Sequence, residues 1–121
     1  MSKEILIIDD SWTTLVLLEY FLVDNGFKPV VADSVEKAMD YLDKNKPSMI
    51  LLDLQMPKIS GFDFLEKYRY DEKMSKIPIL IISANDALGT VDKVKEMGAV
   101  DFIPKPFELH ELLSKIKENL K

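Results

Sequence analysis

Short apolar runs alternate with longer amphipathic stretches along the whole chain. Five runs are dominated by apolar side chains, and they occupy residues 5–8, 29–32, 49–52, 79–82 and 100–103. The first, third and fourth runs are continuous rather than alternating, which is typical of strands in a parallel sheet that is covered on both faces. The amphipathic stretches between the runs predict helices over residues 13–25, 34–44, 60–70, 87–97 and 107–120.

Residues with known end preferences flank several of these predicted helices. Ser60 and Asp63 resemble a capping box, with Asp in the place of the usual Glu. Gly26 and Gly98 follow the first and fourth helices at positions where glycine ends a helix. Gly89 falls in the first turn of the predicted fourth helix, where it would weaken that helix by about 0.5–1 kcal/mol relative to Ala. We therefore expect the fourth helix to be the most mobile one.

Five strand–helix units in succession predict an α/β domain with an open, doubly wound parallel sheet. Ligands of such sheets bind beyond the carboxyl ends of the strands. In this chain those positions hold a set of charged and hydroxyl residues: Asp9, Asp10, Asp53, Ser83 and Lys105. The sequence therefore predicts a polar site at one edge of the sheet.

The residue types at this edge indicate a chemistry. A single aspartate in such a loop is more often a solvated residue or a helix cap, but three carboxylates at one edge repel each other unless a cation joins them. Oxygen ligands without histidine or cysteine suit Mg²⁺. A magnesium ion beside an aspartate, a lysine and a hydroxyl is a set of groups typical of sites that transfer phosphoryl groups. In such sites an aspartate can itself be the nucleophile.

The length, composition and net charge of the chain exclude several kinds of site and partner. The 121 residues make one domain, and the absence of cysteine excludes disulfides, thiolate zinc sites and cysteine nucleophiles. A net charge of −5 disfavours nucleic acid and anionic membranes as partners. No apolar run is long enough to span a bilayer and no signal peptide is present, so we expect a cytoplasmic protein. The four glycines form no phosphate cradle, which indicates that a partner protein supplies the phosphoryl group.

Together these residues resemble the receiver domains of two-component response regulators, of the single-domain, chemotaxis-regulator type. The resemblance covers residues 1–121. The matching segments are the pair Asp9-Asp10, LLDLQMPKISGFDFL around Asp53, Ser83-Ala84, and Lys105-Pro106-Phe107. The resemblance implies a flavodoxin-like (βα)5 fold with a five-stranded parallel sheet in the order 2-1-3-4-5.

The resemblance also implies a role for each residue at the sheet edge. Asp53 would be the phosphoacceptor. Asp10 and Asp53 would bind Mg²⁺ directly, Asp9 would act mainly through water, and the backbone carbonyl of Gln55 would complete the protein ligands. Lys105 would pair with the phosphoryl group and with Asp53.

Two further positions match the family's switch residues, which are Ser83 and the aromatic Phe102. Phosphorylation of Asp53 adds negative charge and acceptor oxygens. Ser83 would move to bond one of these oxygens, Phe102 would fill the vacated space, and the surface of the fourth helix and fifth strand would change. The bond between Lys105 and Pro106 is usually cis in this family.

The first predicted helix carries two apolar stripes. The stripe with the spacing of a core face consists of Thr14, Leu17, Leu18, Phe21 and Leu22. The second stripe lies largely round the other side and consists of Trp12, Leu15, Val16, Tyr20 and Val23. Either part of the second stripe packs on a neighbouring helix, or it docks a partner. The resemblance implies a sensor histidine kinase or a histidine phosphotransfer protein as that partner, with Trp12, Leu15, Val16 and Pro106 as candidate contacts.

The leading interpretation is a single-domain response regulator that takes a phosphoryl group from a phosphohistidine and signals, or relays the group, to another protein. It would modify its own aspartate and lose the group again, rather than turn over as an enzyme. The alternative is a pseudo-receiver, a binding module that is never phosphorylated, but the acidic pair, the acceptor and the lysine are all present. An aspartate-nucleophile phosphatase needs a second carboxylate where Gln55 stands. A flavodoxin would not place Asp9-Asp10 beside the phosphate of its FMN.

Overall fold

The computed structural model describes residues 3–56, 60–84 and 89–120. Five strands form one parallel sheet in the order β2-β1-β3-β4-β5, which confirms the predicted fold. The strands are β1 (Glu4–Ile8), β2 (Lys28–Ala32), β3 (Met49–Leu52), β4 (Ile79–Ser83) and β5 (Asp101–Pro104). The helices are α1 (Trp12–Asp24), α2 (Val35–Lys44), α3 (Gly61–Tyr70), α4 (Thr90–Glu96) and α5 (Leu109–Asn119). A short 3₁₀ helix, Met74–Lys76, precedes β4.

The sheet separates two apolar cores, because alternate strand residues point to opposite faces. One core lies between the sheet and the helices α1 and α5, and its helical residues are Leu15, Leu18, Leu22, Leu112 and Ile116. The other core lies under α2, α3 and α4, and its residues from these helices are Val35, Ala38, Phe64, Leu65, Tyr68 and Val94. The apolar runs in β1, β3 and β4 are buried throughout, as the sequence predicted for strands covered on both faces.

Capping residues end the helices largely where the sequence placed them. The capping box is present, because the Ser60 hydroxyl accepts a bond from the Asp63 backbone and the Asp63 carboxylate accepts one from the Ser60 backbone. Gly26 and Gly98 follow α1 and α4 with φ angles of 85° and 107°. These are left-handed conformations in which a residue with a Cβ is strained.

The prediction that Gly89 lies within the first turn of α4 is wrong. The helix begins at Thr90, and Gly89 is its N-cap residue with a φ angle of 87°. Glycine is favoured at such an angle, so Gly89 does not weaken the interior of α4, and that reason for expecting a mobile helix is removed. Ala87 and Leu88, which the sequence placed in this helix, lie outside the described residues.

The stripe of α1 that faces the sheet includes Leu18 and Leu22 of the predicted core face but differs from that face at Leu15 and Leu17. Its buried residues are Leu15, Leu18 and Leu22, whereas Leu17 is 45% exposed. Most of the helix circumference is apolar, so the spacing of its apolar residues does not select one face. Leu15 is only 3% exposed, and its assignment to a partner-docking surface is therefore wrong.

These two leucines provide a test of how α1 is oriented. We expect Leu15→Ala to lower the free energy of unfolding by about 2–5 kcal/mol, because it opens a cavity in a packed core. The matched variant Leu17→Ala removes the same atoms from a half-exposed position, and we expect a loss below about 1 kcal/mol. Urea unfolding measures both values, and equal losses would contradict the orientation of α1.

The described part of the chain contains no helix that is both long and apolar enough to cross a membrane.

Candidate functional site

The carboxyl edge of the sheet carries the predicted polar residues, and backbone pairing fixes their positions. The amide of Asp53 donates to the carbonyl of Ile8 over 2.9 Å, and the amide of Lys105 donates to the carbonyl of Ser83 over the same distance. Inter-strand bonding therefore continues one residue beyond β3 and β5. As a result, the side chains of Asp53 and Lys105 start from a rigid frame rather than from free loops.

Three carboxylates meet at this edge. Asp9, Asp10 and Asp53 each offer an oxygen atom, and these oxygens all lie within 4.8 Å of one another. Asp9 and Asp53 are nearly buried, whereas Asp10 is exposed. The cluster therefore has a buried floor and opens to solvent on the side of Asp10. Clustered carboxylate oxygens without nitrogen or sulfur ligands are the donor set that Mg²⁺ prefers.

Lys105 supplies the cationic group among these carboxylates. Its Nζ lies 2.8 Å from Oδ2 of Asp9 and 3.5 Å from Oδ2 of Asp53. The second oxygen of each buried carboxylate accepts a backbone bond, from the Ser11 amide over 2.8 Å at Asp9 and from the Gln55 amide over 3.2 Å at Asp53. Each buried carboxylate thus has a backbone donor on one oxygen and the lysine ammonium on the other.

The surroundings shift the proton affinity of two of these groups. Burial raises the pKa of Asp53, and the negative charge of Asp9 raises it further. The Gln55 amide and the Lys105 ammonium lower it, but not enough to cancel the rise. Burial alone would lower the pKa of Lys105, but its bond to Asp9 and the charges of both carboxylates outweigh burial and raise it. The site therefore favours the binding of positive charge.

The two switch positions lie on one face of the sheet. Ser83 is completely buried at the end of β4, and Phe102 is a buried residue of β5. Phe102 pairs in register with Ile81, and Ser83 pairs with Pro104. Because strand residues alternate between faces, Ser83 and Phe102 are diagonal neighbours on the side of the sheet that α4 covers.

An ion pair between Asp101 and Lys115, next to Phe102, was not predicted from the sequence. Asp101 accepts a bond from the Phe102 amide over 2.8 Å and one from Nζ of Lys115 over 2.6 Å. Burial of Asp101 would raise its pKa, but the bonds to Lys115 and Phe102 outweigh burial and lower it. The pair joins the edge strand β5 to α5 beside the aromatic switch position. The sequence feature that pointed to this ion pair was Asp101 itself, a charged residue inside the apolar run 100–103.

Gly61 was also missed as a residue that shapes the site. A Cβ atom at this position would lie 2.5 Å from the carbonyl oxygen of Asp53 and 2.6 Å from Cα of Leu54. The Gly61 amide also donates to the carbonyl of Leu54 over 3.0 Å. Only glycine lets the start of α3 lie this close to the segment that carries Asp53. The Ser-Gly pair at the predicted helix start was the available signal.

The remaining candidate residues differ in their exposure to solvent. Trp12 is 76% exposed, Val16 is half-buried and Pro106 is exposed. The bond between Lys105 and Pro106 is cis, as the resemblance implied. The Lys105 ammonium contacts Asp9, which lies three residues before the start of α1. His110, the single histidine of the chain, is exposed.

The family follows from comparison with known proteins. A family profile described as the response regulator receiver domain matches residues 5–117. The chain belongs to this family. Receiver domains take part in two-component signalling, receive phosphoryl groups from histidine kinases and pass signals to other proteins. Receiver domains bind Mg²⁺ at an acidic pocket, and the described residues of this chain include the cluster of Asp9, Asp10 and Asp53.

Individual relatives agree with this membership. The receiver domain is 34% identical over 123 residues to the alkaline phosphatase synthesis transcriptional regulatory protein PhoP of Bacillus subtilis, covering all of this chain and 50% of that regulator. The chain spans about half the length of the curated relatives it matches. Among solved structures, it resembles a response regulator receiver protein from Pseudomonas putida (28% identity, 98% of each chain, TM-score 0.92). It also resembles the chemotaxis protein CheY4 of Vibrio cholerae (25% identity, 99% of this chain and 100% of that one, TM-score 0.92).

The close approach at Gly61 can be tested by adding one methyl group. We expect Gly61→Ala to lower the free energy of unfolding by about 2–3 kcal/mol, because the contacting atoms are backbone atoms that cannot move aside cheaply. We also expect it to shift the backbone NMR signals of Asp53 and Leu54.

Gly26→Ala is the matched control, since its added methyl group meets no atom within 4 Å. We expect Gly26→Ala to lower the free energy of unfolding by about 1–2 kcal/mol, because alanine is strained in a left-handed conformation. The backbone NMR signals of Asp53 should not change. Unchanged signals at Asp53 in the Gly61→Ala variant would contradict the close approach.

Proposed function

We propose that this receiver domain accepts a phosphoryl group on Asp53 from a phosphohistidine of a partner protein, with Mg²⁺ bound, and signals through the surface of α4 and β5. The observation that carries the proposal is the position of Asp53. Its carboxylate is nearly buried at the carboxyl edge of the sheet, and Asp9, Asp10 and the Lys105 ammonium lie around it.

The proposed reaction is one nucleophilic displacement at phosphorus. A carboxylate oxygen of Asp53 attacks the phosphorus atom, the bond from phosphorus to the imidazole nitrogen of the partner breaks, and that nitrogen keeps the electron pair. Lys105 is close enough to Asp53 to donate to a phosphoryl oxygen as the acyl phosphate forms. The buried hydroxyl of Ser83, at the end of the neighbouring strand, is the proposed second donor.

The residues present fit a magnesium ion. Asp9, Asp10 and Asp53 would hold it, and the backbone carbonyl of Gln55 is the proposed fourth protein ligand. The ion supplies positive charge that offsets the charge of the carboxylates and of the phosphoryl oxygens. Asp10, which is exposed, stands where an ion reaches the cluster from solvent.

The proposed output follows from the placement of the switch residues. Ser83 and Phe102 share the face of the sheet that is covered by α4. A hydroxyl drawn towards a phosphoryl group would leave space on that face, and Phe102 is the large side chain next to it. Its movement would alter the packing beneath α4 and along β5, which converts a local charge into a change of surface shape.

The proposed docking site for the phosphohistidine partner combines two exposed features beside the acceptor. One is the second apolar stripe of α1, from which the buried Leu15 is now excluded. In this stripe Trp12 and Tyr20 are 76% and 71% exposed and Val16 is half-buried. The other is Pro106 in the loop after β5. Exposed apolar side chains of this kind are typical of protein-binding surfaces. The partner would be a sensor histidine kinase or a histidine phosphotransfer protein.

We also propose that the domain modifies only itself and does not turn over a separate substrate as an enzyme. A pseudo-receiver is the alternative, and the presence of acceptor, acidic pair and lysine in one cluster supports the phosphorylated form instead. The cytoplasmic location stays a prediction of the sequence.

The acceptor can be tested with a small phosphodonor. The protein is incubated with acetyl phosphate and Mg²⁺, and intact mass spectrometry counts the phosphoryl groups. We expect one phosphoryl group on the wild type. We expect none on Asp53→Asn, because the nucleophile is missing, and none on protein treated with a chelator, because the positive charge of Mg²⁺ is missing. Asp43→Asn, which changes an exposed aspartate of α2, is the matched control and should behave as the wild type.

Two results would contradict the proposed acceptor. A phosphoryl group that persists on Asp53→Asn would place the chemistry elsewhere. A wild type that neither forms an adduct nor binds beryllofluoride in an NMR titration with Mg²⁺ would favour the pseudo-receiver.

Docking is tested by comparing two phosphodonors. We expect Trp12→Ala to slow phosphoryl transfer from the partner kinase by about tenfold, because large exposed aromatic residues contribute strongly to interfaces. Transfer from acetyl phosphate should not change. Tyr70→Ala is the control, since Tyr70 is 75% exposed at the end of α3. Equal rates for Trp12→Ala and the wild type with the kinase would exclude Trp12 from the interface.

A further inference from the structure

The Lys105 ammonium lies closer to Asp9 than to the proposed acceptor Asp53. Its Nζ is 2.8 Å from Oδ2 of Asp9 and 3.5 Å from Oδ2 of Asp53. We infer that Lys105 competes with the divalent cation for Asp9 and thereby sets the affinity of the domain for metal. This inference rests on the proposed magnesium site and adds a second task to the proposed contact between Lys105 and the phosphoryl group.

The occupancy of the two Asp9 oxygens supports competition. Oδ1 accepts the Ser11 amide over 2.8 Å, and Oδ2 accepts the lysine ammonium. Asp9 is 3% exposed, so little water is available to take over either bond or to screen the charges. A cation that binds Asp9 must therefore approach a carboxylate whose oxygens are both engaged, one of them by a positive charge.

The charges of the cluster also support competition between Lys105 and the metal ion. Three carboxylates carry three negative charges, and Lys105 neutralises one of them. Two positive charges that share one nearly buried carboxylate repel each other strongly, because water screens them poorly there. Of the two cations, the ammonium is the one that can move away, since it sits on a long flexible side chain.

The alternative partner of the ammonium is already in reach. Asp53 lies 3.5 Å from Nζ, so a small rotation of the lysine side chain carries the ammonium from Asp9 towards the acceptor. In this arrangement the loss of the Asp9 contact and the gain of the Asp53 contact are one movement. The same lysine would hold the two buried carboxylates together in the metal-free domain and face the acceptor when metal is bound.

The test measures metal affinity rather than phosphorylation. Isothermal titration with MgCl₂ at constant ionic strength is carried out on the wild type and on Lys105→Met, which keeps most of the side-chain stem and removes the charge. We expect the variant to bind Mg²⁺ about tenfold more tightly, because the repulsion is gone. Lys37→Met removes a surface lysine paired with the exposed Asp33, and it should leave the affinity unchanged.

Stability provides an independent measurement. Without Mg²⁺, Lys105→Met leaves the Asp9 and Asp53 carboxylates without their ammonium, so we expect it to unfold at lower urea than the wild type. With Mg²⁺, we expect its unfolding midpoint to rise by more than that of the wild type, since tighter binding to the folded state stabilises it more. If Lys105→Met does not fold, Lys105→Gln keeps a hydrogen-bond donor without the charge and takes its place.

The outcomes separate this inference from the proposed function. Equal or weaker Mg²⁺ binding by the uncharged variants would overturn competition, while an Asp53 adduct on the wild type would still support the proposed function. A wild type that binds no Mg²⁺ and forms no adduct would overturn the proposed function itself. Tighter binding, together with the larger Mg²⁺-dependent rise in stability, would support competition.

Discussion

The structure depends on neutralising carboxylates that the sheet brings together at one edge. Parallel strands end on the same side, so Asp9 after β1 and Asp53 after β3 meet in a place where little water reaches them. The ammonium of Lys105 reaches both carboxylates from the loop after β5. One long side chain thus ties three chain segments together and leaves the cluster with an excess of negative charge that invites a second cation.

The two cores serve this edge in different ways. The core under α1 and α5 holds β1 from one side, and α1 begins with the exposed Trp12 two residues after Asp10. The core under α2, α3 and α4 contains Phe102, so the face that would change on phosphorylation is a packed one. Packed interfaces tend to respond in discrete steps rather than by gradual deformation, which suits a domain that signals between two states.

Much of this arrangement was predictable from the sequence, because continuous apolar runs mark buried parallel strands and the residues after them share one edge. The parallel sheet and the polar edge that holds Asp9, Asp53 and Lys105 follow from that rule, whereas the strand order came from the resemblance to receiver domains. The face of α1 was not predictable, since a helix that is apolar around most of its circumference offers several stripes of similar quality. The close approach at Gly61 and the Asp101–Lys115 pair depend on how neighbouring elements pack against each other, which the spacing of apolar residues does not report.

Trp12 stands two residues after Asp10, in the first turn of the helix whose preceding serine donates to Asp9. It is the only tryptophan of the chain, and three quarters of its surface meets solvent. The indole is therefore a built-in optical probe at the rim of the acidic cluster. We expect its emission to change when an ion arrives or when another protein covers the rim, which would make fast kinetics of both events accessible without an attached dye.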